Sequence, residues 1–258
     1  MAFDLGLEKK SVVITGGATG IGFATALEFA RQGAQVAICG RSEEKLRAAQ
    51  KQAEEEGLNL YIESVDVCDA QRLYEFGDHV CQRFGTVDIW MNNAGVAITK
   101  PLLEFTDEEW DAVMNLNLKA VFHGCQYAAK KMIEHGHGGV ILNAGSFQAL
   151  MPAAAAVPYG ASKAAVVNLS RTLAGELASK NIRVLSYIPG VICTPMADEW
   201  MNATNQIKNI PSSRYGRPED LANALVFVSS DRASYINGVH IDVTGGKFCV
   251  QNPRFSFE

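Results

Sequence analysis

The sequence alternates between two rhythms. Short apolar runs rich in valine and isoleucine are followed by segments whose apolar residues return at helical spacing, and the cycle repeats along the chain. Residues 11–15, 35–39, 58–65, 87–91, 140–144, 182–188 and 239–243 read as strands. Residues 21–32, 42–56, 70–84, 158–179 and 218–229 read as helices, and 106–134 as a helix-rich stretch. Ser42 is placed to cap one helix and Gly57 to stop it. Several strands are apolar on both faces, as strands covered on both sides must be. The pattern therefore predicts an α/β fold, a parallel sheet with helices on both faces.

No Pro, Gly and Ser linker divides the 258 residues, so one domain over 1–258 is expected, with an irregular excursion at 190–215 and a tail at 247–258. The 23 basic and 28 acidic residues give a formal charge of −5, which excludes bulk attraction to nucleic acid or an anionic membrane. No apolar run approaches the ~18 residues of a spanning helix. Residues 1–10 lack a basic region followed by an apolar one, so no secretory signal is expected. The six cysteines form no Cys-x-x-Cys pair. Cys39, Cys68 and Cys125 read as small buried or half-buried residues of a reducing, cytoplasmic compartment. His135 and His137 stand in a glycine-rich helix stop, and no metal site is expected there.

The segment Thr15-Gly16-Gly17-Ala18-Thr19-Gly20-Ile21-Gly22 follows the first strand and opens a helix. Small residues there let backbone approach a pyrophosphate, and the helix start offers free N–H groups and the positive end of its dipole. Gly16, Thr19, Gly20, Ile21 and Gly22 are thus candidates to hold a dinucleotide. The second strand ends Cys39-Gly40-Arg41-Ser42. A carboxylate there would repel a 2′-phosphate. Gly40 supplies none and Arg41 supplies a guanidinium suited to phosphate, so Arg41 and Ser42 favour NADP over NAD. Asp66, with Val67 beside it, ends the third strand and is placed for the adenine amino group, or else simply starts a turn.

Tyr159 and Lys163 are four residues apart at the start of a helix, so they share a face. A phenol titrates near 10, and an ammonium one turn away favours phenolate, giving an acid/base for a carbonyl or alcohol oxygen. Ser146 leaves the end of a strand thirteen positions earlier, where its hydroxyl can hold the reacting oxygen.

Together these residues resemble the short-chain dehydrogenase/reductase family. The matches run from Val12 to about Gly246: Thr15 to Gly22, Asn92-Asn93-Ala94-Gly95, Asn117, Ser146, Tyr159 with Lys163, and Pro189-Gly190 followed by Thr194. The resemblance implies a Rossmann-type doubly wound fold and hydride exchange between a nicotinamide and a carbinol or carbonyl carbon. It implies Ser146, Tyr159, Lys163 and Asn117 as the catalytic group, with Asn117 holding a water that links Lys163 to solvent. It also assigns Asn93, Ala94, Gly95, Pro189, Gly190, Ile192 and Thr194 to the cofactor, with Ile192 acting through its backbone and Lys163 binding the ribose. Two departures stand out. Gly145 replaces the first of two serines common in the family, and Thr19 stands where NADP-using members often carry a basic residue.

The substrate walls include Phe147, Leu150, Met151, Ile192, Met196, Trp200 and Met201. They fit a hydrophobic ketone or secondary alcohol, with Ser146, Gln148, Tyr159, Met196 and Trp200 in contact. Reduction of 3-oxoacyl groups on acyl carrier protein is the alternative. Lys130 and Lys131 are available for an acidic carrier, but Gly175 stands where such reductases usually carry Arg. A cofactor-binding sensor without catalysis is a further alternative. The resemblance also implies a homotetramer or homodimer built on helices around 116–135 and 159–179.

Overall fold

The structure is a computed structural model and describes residues 4–197, 201 and 206–247. Among these, seven strands form one parallel sheet: β1 (Ser11–Thr15), β2 (Gln35–Gly40), β3 (Leu60–Ser64), β4 (Ile89–Asn92), β5 (Gly139–Ala144), β6 (Ile182–Pro189) and β7 (His240–Val243). Their order is β3-β2-β1-β4-β5-β6-β7. The chain winds outward from β1 in one direction, then returns past it to β4 and winds the other way. A crevice opens at that reversal, beyond the carboxyl ends of β1 and β4.

Register separates the two faces. Ile14 lies between Ile38 and Met91, Met91 beside Leu142, and Leu142 beside Leu185. This row packs under α1 (Gly20–Arg31), α2 (Glu43–Glu55) and α7 (Pro218–Ser229), through Phe29, Leu46 and Leu225. The offset row Val13, Ala37, Trp90, Ile141 and Val184 packs under α3 (Ala70–Phe84), α5 (Ala120–His135) and α6 (Val157–Leu177). Burying apolar residues on both faces at about 25 cal/mol per Å² is what drives such a sheet together.

Local signals set several boundaries. The Ser42 hydroxyl accepts from the Lys45 N–H at the start of α2, and Asp69 caps α3 through the N–H groups of Gln71 and Arg72. Gly85 and Gly136 end α3 and α5 in the left-handed region. The helix-rich stretch resolves into α4 (Asp107–Met114), a π-helical turn (Asn115–Lys119) and α5. The third strand starts at Leu60, later than expected, because the turn at Gly57 extends past it.

A buried polar chain crosses the middle of the sheet. The Trp90 indole donates to Asn92 Oδ1 at 2.8 Å, Asn92 Nδ2 to Asn143 Oδ1 at 2.8 Å, and Asn143 Nδ2 to Ser170 Oγ at 3.0 Å. Cys39 and Cys125 are buried, and burial pushes the Cys125 thiol up to about 12. Cys68 corrects the expectation. It is exposed, because it follows the end of β3 in the loop that Asp66 turns. Trp200 and residues 248–258 of the expected tail lie outside the described residues. Among the described residues no helix is long and apolar enough to cross a membrane.

Candidate active site

A cleft of about 290 Å³ lies over the crevice at the ends of β1 and β4. It gathers residues from widely separated parts of the sequence. Gly16, Thr19, Gly20 and Ile21 come from the β1–α1 turn, Arg41 from the end of β2, and Asp66 and Val67 from beyond β3. Asn93, Ala94 and Gly95 follow β4, Tyr159 and Lys163 stand on α6, Pro189 ends β6, and Thr194 and Met196 follow it. Ser42, Gly22, Gly190, Ile192, Asn117, Ser146 and Gln148 are not among its lining residues.

The glycine turn is fixed from below. Asn93 Nδ2 donates to the carbonyls of Thr15 and Gly16, at 3.1 and 3.0 Å, and the Thr15 hydroxyl accepts the N–H groups of Asn93 and Ala94. A Cβ on Gly22 would come within 2.4 Å of the Gly16 carbonyl oxygen, so Gly22 serves the packing of α1 against its own turn. Gly20 has φ +57 and faces the cleft, where the nearest atoms to an added Cβ belong to Thr194. Thr19 caps α1 without using its side chain, so the first N–H groups of the helix are left to a ligand or solvent. This cradle fits a pyrophosphate.

At the adenosine end, the Arg41 side chain has no ion pair among the described residues. Its neighbour Glu43 pairs with Arg47 at 2.7 Å. The Ser42 hydroxyl accepts from Lys45 and holds α2. One oxygen of Asp66 accepts from the Cys68 N–H at 3.0 Å, so the turn role is present, and the residue also lines the cleft.

At the other end, Lys163 is buried. Its ammonium donates to the Ala144 carbonyl at 2.8 Å and lies 5.8 Å from the Tyr159 ring centre. Burial lowers its pKa to about 8. The Tyr159 phenol differs from expectation. Burial raises its pKa, a Ser146 hydrogen bond opposes the rise, and Lys163 is not among the groups that shift it. The ammonium is drawn to the end of β5 and does not offset the desolvation. Ser146 is 4% exposed, and its hydroxyl accepts the Gln148 N–H at 3.1 Å.

Asn117 sits in the π-helical turn, fully buried. Its Oδ1 accepts the Val96 N–H, and its Nδ2 donates to the Val96 carbonyl and to Ser162 Oγ. Both amide hydrogens are therefore engaged within the chain. Gly190 packs against Thr244, where an added Cβ would come within 2.7 Å. The Ile192 side chain belongs to the core. Its bridge to Gly216 uses Val191 and Cys193, which leaves the Ile192 backbone groups outside the bridge.

The cleft also contains residues that the sequence did not single out. Tyr187 lines it, is buried, and donates to Asn93 Oδ1 at 3.0 Å. Its place two residues before Pro189, at a strand's carboxyl end, was the available signal. Ala144 acts through a backbone carbonyl, for which side-chain chemistry gives no cue. His135 and His137 stack with ring centres 6.0 Å apart, away from the cleft, and His137 bonds Thr86.

Comparison with known proteins agrees with this geometry. The short chain dehydrogenase family model matches residues 10–205. A 3-oxoacyl-(acyl-carrier-protein) reductase, FabG, of Thermotoga maritima is 38% identical over 93% of this chain and 98% of its own length. A 3alpha-hydroxysteroid dehydrogenase of Mediterraneibacter gnavus is 38% identical over 93% and 97%. The solved structure of a short-chain type dehydrogenase/reductase from Mycobacterium marinum superposes with a TM-score of 0.92 at 32% identity, covering 96% of this chain and 98% of its own. The chain belongs to the short-chain dehydrogenase family, oxidoreductases that bind a nicotinamide cofactor and act on carbonyl and CH–OH groups.

Proposed function

We propose that this protein is an NADP(H)-dependent reductase that converts a ketone with an apolar body into a secondary alcohol. The observation that carries the reading is the convergence of the glycine turn, the unpaired Arg41 and the Tyr159–Lys163 pair on one cleft. The nicotinamide, when bound, supplies the hydride. Tyr159 gives its proton to the carbonyl oxygen. A phenol whose pKa is raised by burial keeps that proton at neutral pH, as the donor in this step must. Ser146 holds the same oxygen by hydrogen bond. Lys163 keeps a cation beside the phenol and holds the ribose, and Asn117 holds a water that links Lys163 to solvent, through which the proton is replaced.

Thr19, Gly20 and Ile21 hold the pyrophosphate. Arg41 binds the 2′-phosphate with Ser42 beside it, and Asp66 and Val67 meet the adenine. Asn93, Ala94, Gly95, Pro189, Thr194 and the Ile192 backbone shape the nicotinamide half. Gly16, Gly22 and Gly190 act by letting backbone approach. Gln148 and Met196 touch the substrate.

Two relatives named as 3-oxoacyl-(acyl-carrier-protein) reductases, at 38% and 36% identity, favour a second reading with a carrier-bound acyl substrate. The helix face expected to meet an acidic carrier is already neutralised, however. Lys131 faces Asp78 at 2.9 Å and Lys130 faces Glu134 at 3.9 Å. A cytoplasmic homotetramer or homodimer completes the reading, with Phe122 and Ile133 exposed on α5 where a second copy would pack.

The experiment is kcat/KM with NADPH and with NADH across aliphatic, steroid, sugar and acyl-thioester ketones. NADPH preferred on an apolar ketone is the expected result. Preference for the acyl thioester selects the second reading. NADPH binding with no turnover of any carbonyl selects a sensor.

A further inference from the structure

Two polar groups flank Phe147, directly after Ser146, and neither has a partner among the described residues. The first is Gln148. Its backbone N–H is fixed on the Ser146 hydroxyl at 3.1 Å, yet its side-chain Oε1 is shut off from solvent and accepts no hydrogen bond. A buried acceptor left without a donor costs about 1–3 kcal/mol, so such groups are rare unless a ligand supplies the donor. Among the described residues only one other buried side-chain oxygen, that of Ser11, is in this condition.

The second is Lys247, whose ammonium lies 5.3 Å from the centre of the Phe147 ring. It is half-buried, and burial lowers its pKa with no carboxylate acting to raise it. Two other partly sheltered lysines meet carboxylates, whereas the buried Lys163 bonds a backbone carbonyl. Lys100 meets Glu109 at 2.5 Å and Lys131 meets Asp78 at 2.9 Å. Lys247 is thus a sheltered cation over the ring of the residue that follows Ser146, facing no anion among the described residues.

We infer that the ketone reduced here carries an anionic group, carboxylate or phosphate, bound by Lys247, and a hydroxyl or N–H beside its carbonyl that donates to Gln148. The inference rests on the proposed ketone reductase and narrows its substrate. A site with a half-buried cation and an unsatisfied acceptor discriminates against analogues lacking either partner, because such an analogue leaves the corresponding group unpaired. The apolar residues around it, Phe147, Leu150 and Met196, remain to hold the carbon skeleton.

The test uses the full-length chain with NADPH. It takes a series of oxo-carboxylates of three to eight carbons, their methyl esters and the matching ketone phosphates, each with and without a hydroxyl next to the carbonyl. The wild type should prefer the best anionic ketone to its ester by tenfold or more in kcat/KM, and the better of carboxylate and phosphate identifies the anion. Lys247→Met should lose about 10- to 100-fold on the anionic ketone and less than threefold on the ester, with Lys247→Arg recovering most of the loss. Gln148→Leu should lose about tenfold or more on the hydroxyketone and little on its deoxy analogue.

Equal losses on acid and ester, or no wild-type preference, overturns the inference. Turnover of the neutral ester that disappears in Tyr159→Phe would show the reductase reading standing without it. Should no ketone turn over, the reductase reading fails. Binding of the same oxo-carboxylates and ketone phosphates, followed by quenching of bound NADPH fluorescence, then decides the inference: tighter binding to wild type than to Lys247→Met supports it and equal binding overturns it.

Discussion

The polar chain in the sheet and the polar rim of the cleft are built from similar residues and used in opposite ways. Under the sheet, Trp90, Asn92, Asn143 and Ser170 form a closed series in which each side chain donates to the next, ending on the Val166 carbonyl. At the cleft, the Arg41 side chain has no ion pair among the described residues and Thr19 leaves the start of α1 without a side-chain cap; around Phe147, outside the cleft lining, Gln148 Oε1 accepts no hydrogen bond and Lys247 meets no carboxylate among the described residues. A buried polar group satisfied within the chain holds structure, whereas one left unsatisfied at a concave surface raises the free energy of the unliganded protein and lowers that of a ligand complex. Lys163 and Asn117 lie between these cases. Both are bonded within the chain; Lys163 lines the cleft and Asn117 lies behind its wall at Gly95.

The contrast can be broken in order of expected effect. Lys163→Met should reduce turnover at least ~100-fold, because the cation beside Tyr159 is lost, and should keep the fold. Steady-state kinetics with a circular dichroism control checks this. A loss below tenfold would remove Lys163 from the chemistry. Asn143→Ala opens the closed series. It strands an Asn92 amide hydrogen, takes the acceptor from the Cys125 thiol and the donor from the Ser170 oxygen, and should cost about 2–4 kcal/mol of stability in denaturant unfolding. The same protein should bind NADPH nearly normally once folded. Arg41→Ala acts at the open end. It should leave stability within ~0.5 kcal/mol, weaken NADPH about 10- to 100-fold and change NADH less than threefold, as titration of both cofactors would show. Equal weakening of the two would mean that Arg41 does not read the 2′-phosphate.

The contrast also has a pH dependence. Lys163 titrates at about 8 when folded and near 10.5 when unfolded, so between these values the unfolded chain binds more protons and stability from this group rises with pH. Below pH 8 the burial cost is present in full. Cys125 works the other way. Its folded pKa of about 12 lies above its unfolded value, so it loses stability as pH rises through 9. The readout is therefore the difference between wild type and Lys163→Met from pH 7 to 10.5. That difference should shift toward the wild type by up to about 3 kcal/mol, and a flat difference would show that the lysine is not desolvated.

What the sequence disclosed follows the range of the interactions involved. The strand–helix alternation, the Ser42 cap and the shared face of Tyr159 and Lys163 are encoded within one or two turns, and all are present in the structure. The π-helical turn at Asn115–Lys119 was hidden because no glycine or proline marks it. Pairings across the chain were hidden too. The Ala144 carbonyl beneath Lys163 is a backbone group 19 residues away, and the Tyr187–Asn93 bond spans 94. The direction of the Tyr159 shift was misjudged for the same reason, since only the packed structure shows where the ammonium points.

The central claim is that Tyr159 protonates a carbonyl that receives hydride at this cleft. It is tested most directly with NADPH carrying deuterium at C4, incubated with the best ketone and either wild type or Tyr159→Phe. Mass spectrometry of the product should find one deuterium on the carbinol carbon with the wild type. The variant, binding NADPH with unchanged affinity, should form that alcohol at least ~1,000-fold more slowly. Deuterated alcohol formed by Tyr159→Phe at the wild-type rate would contradict the account.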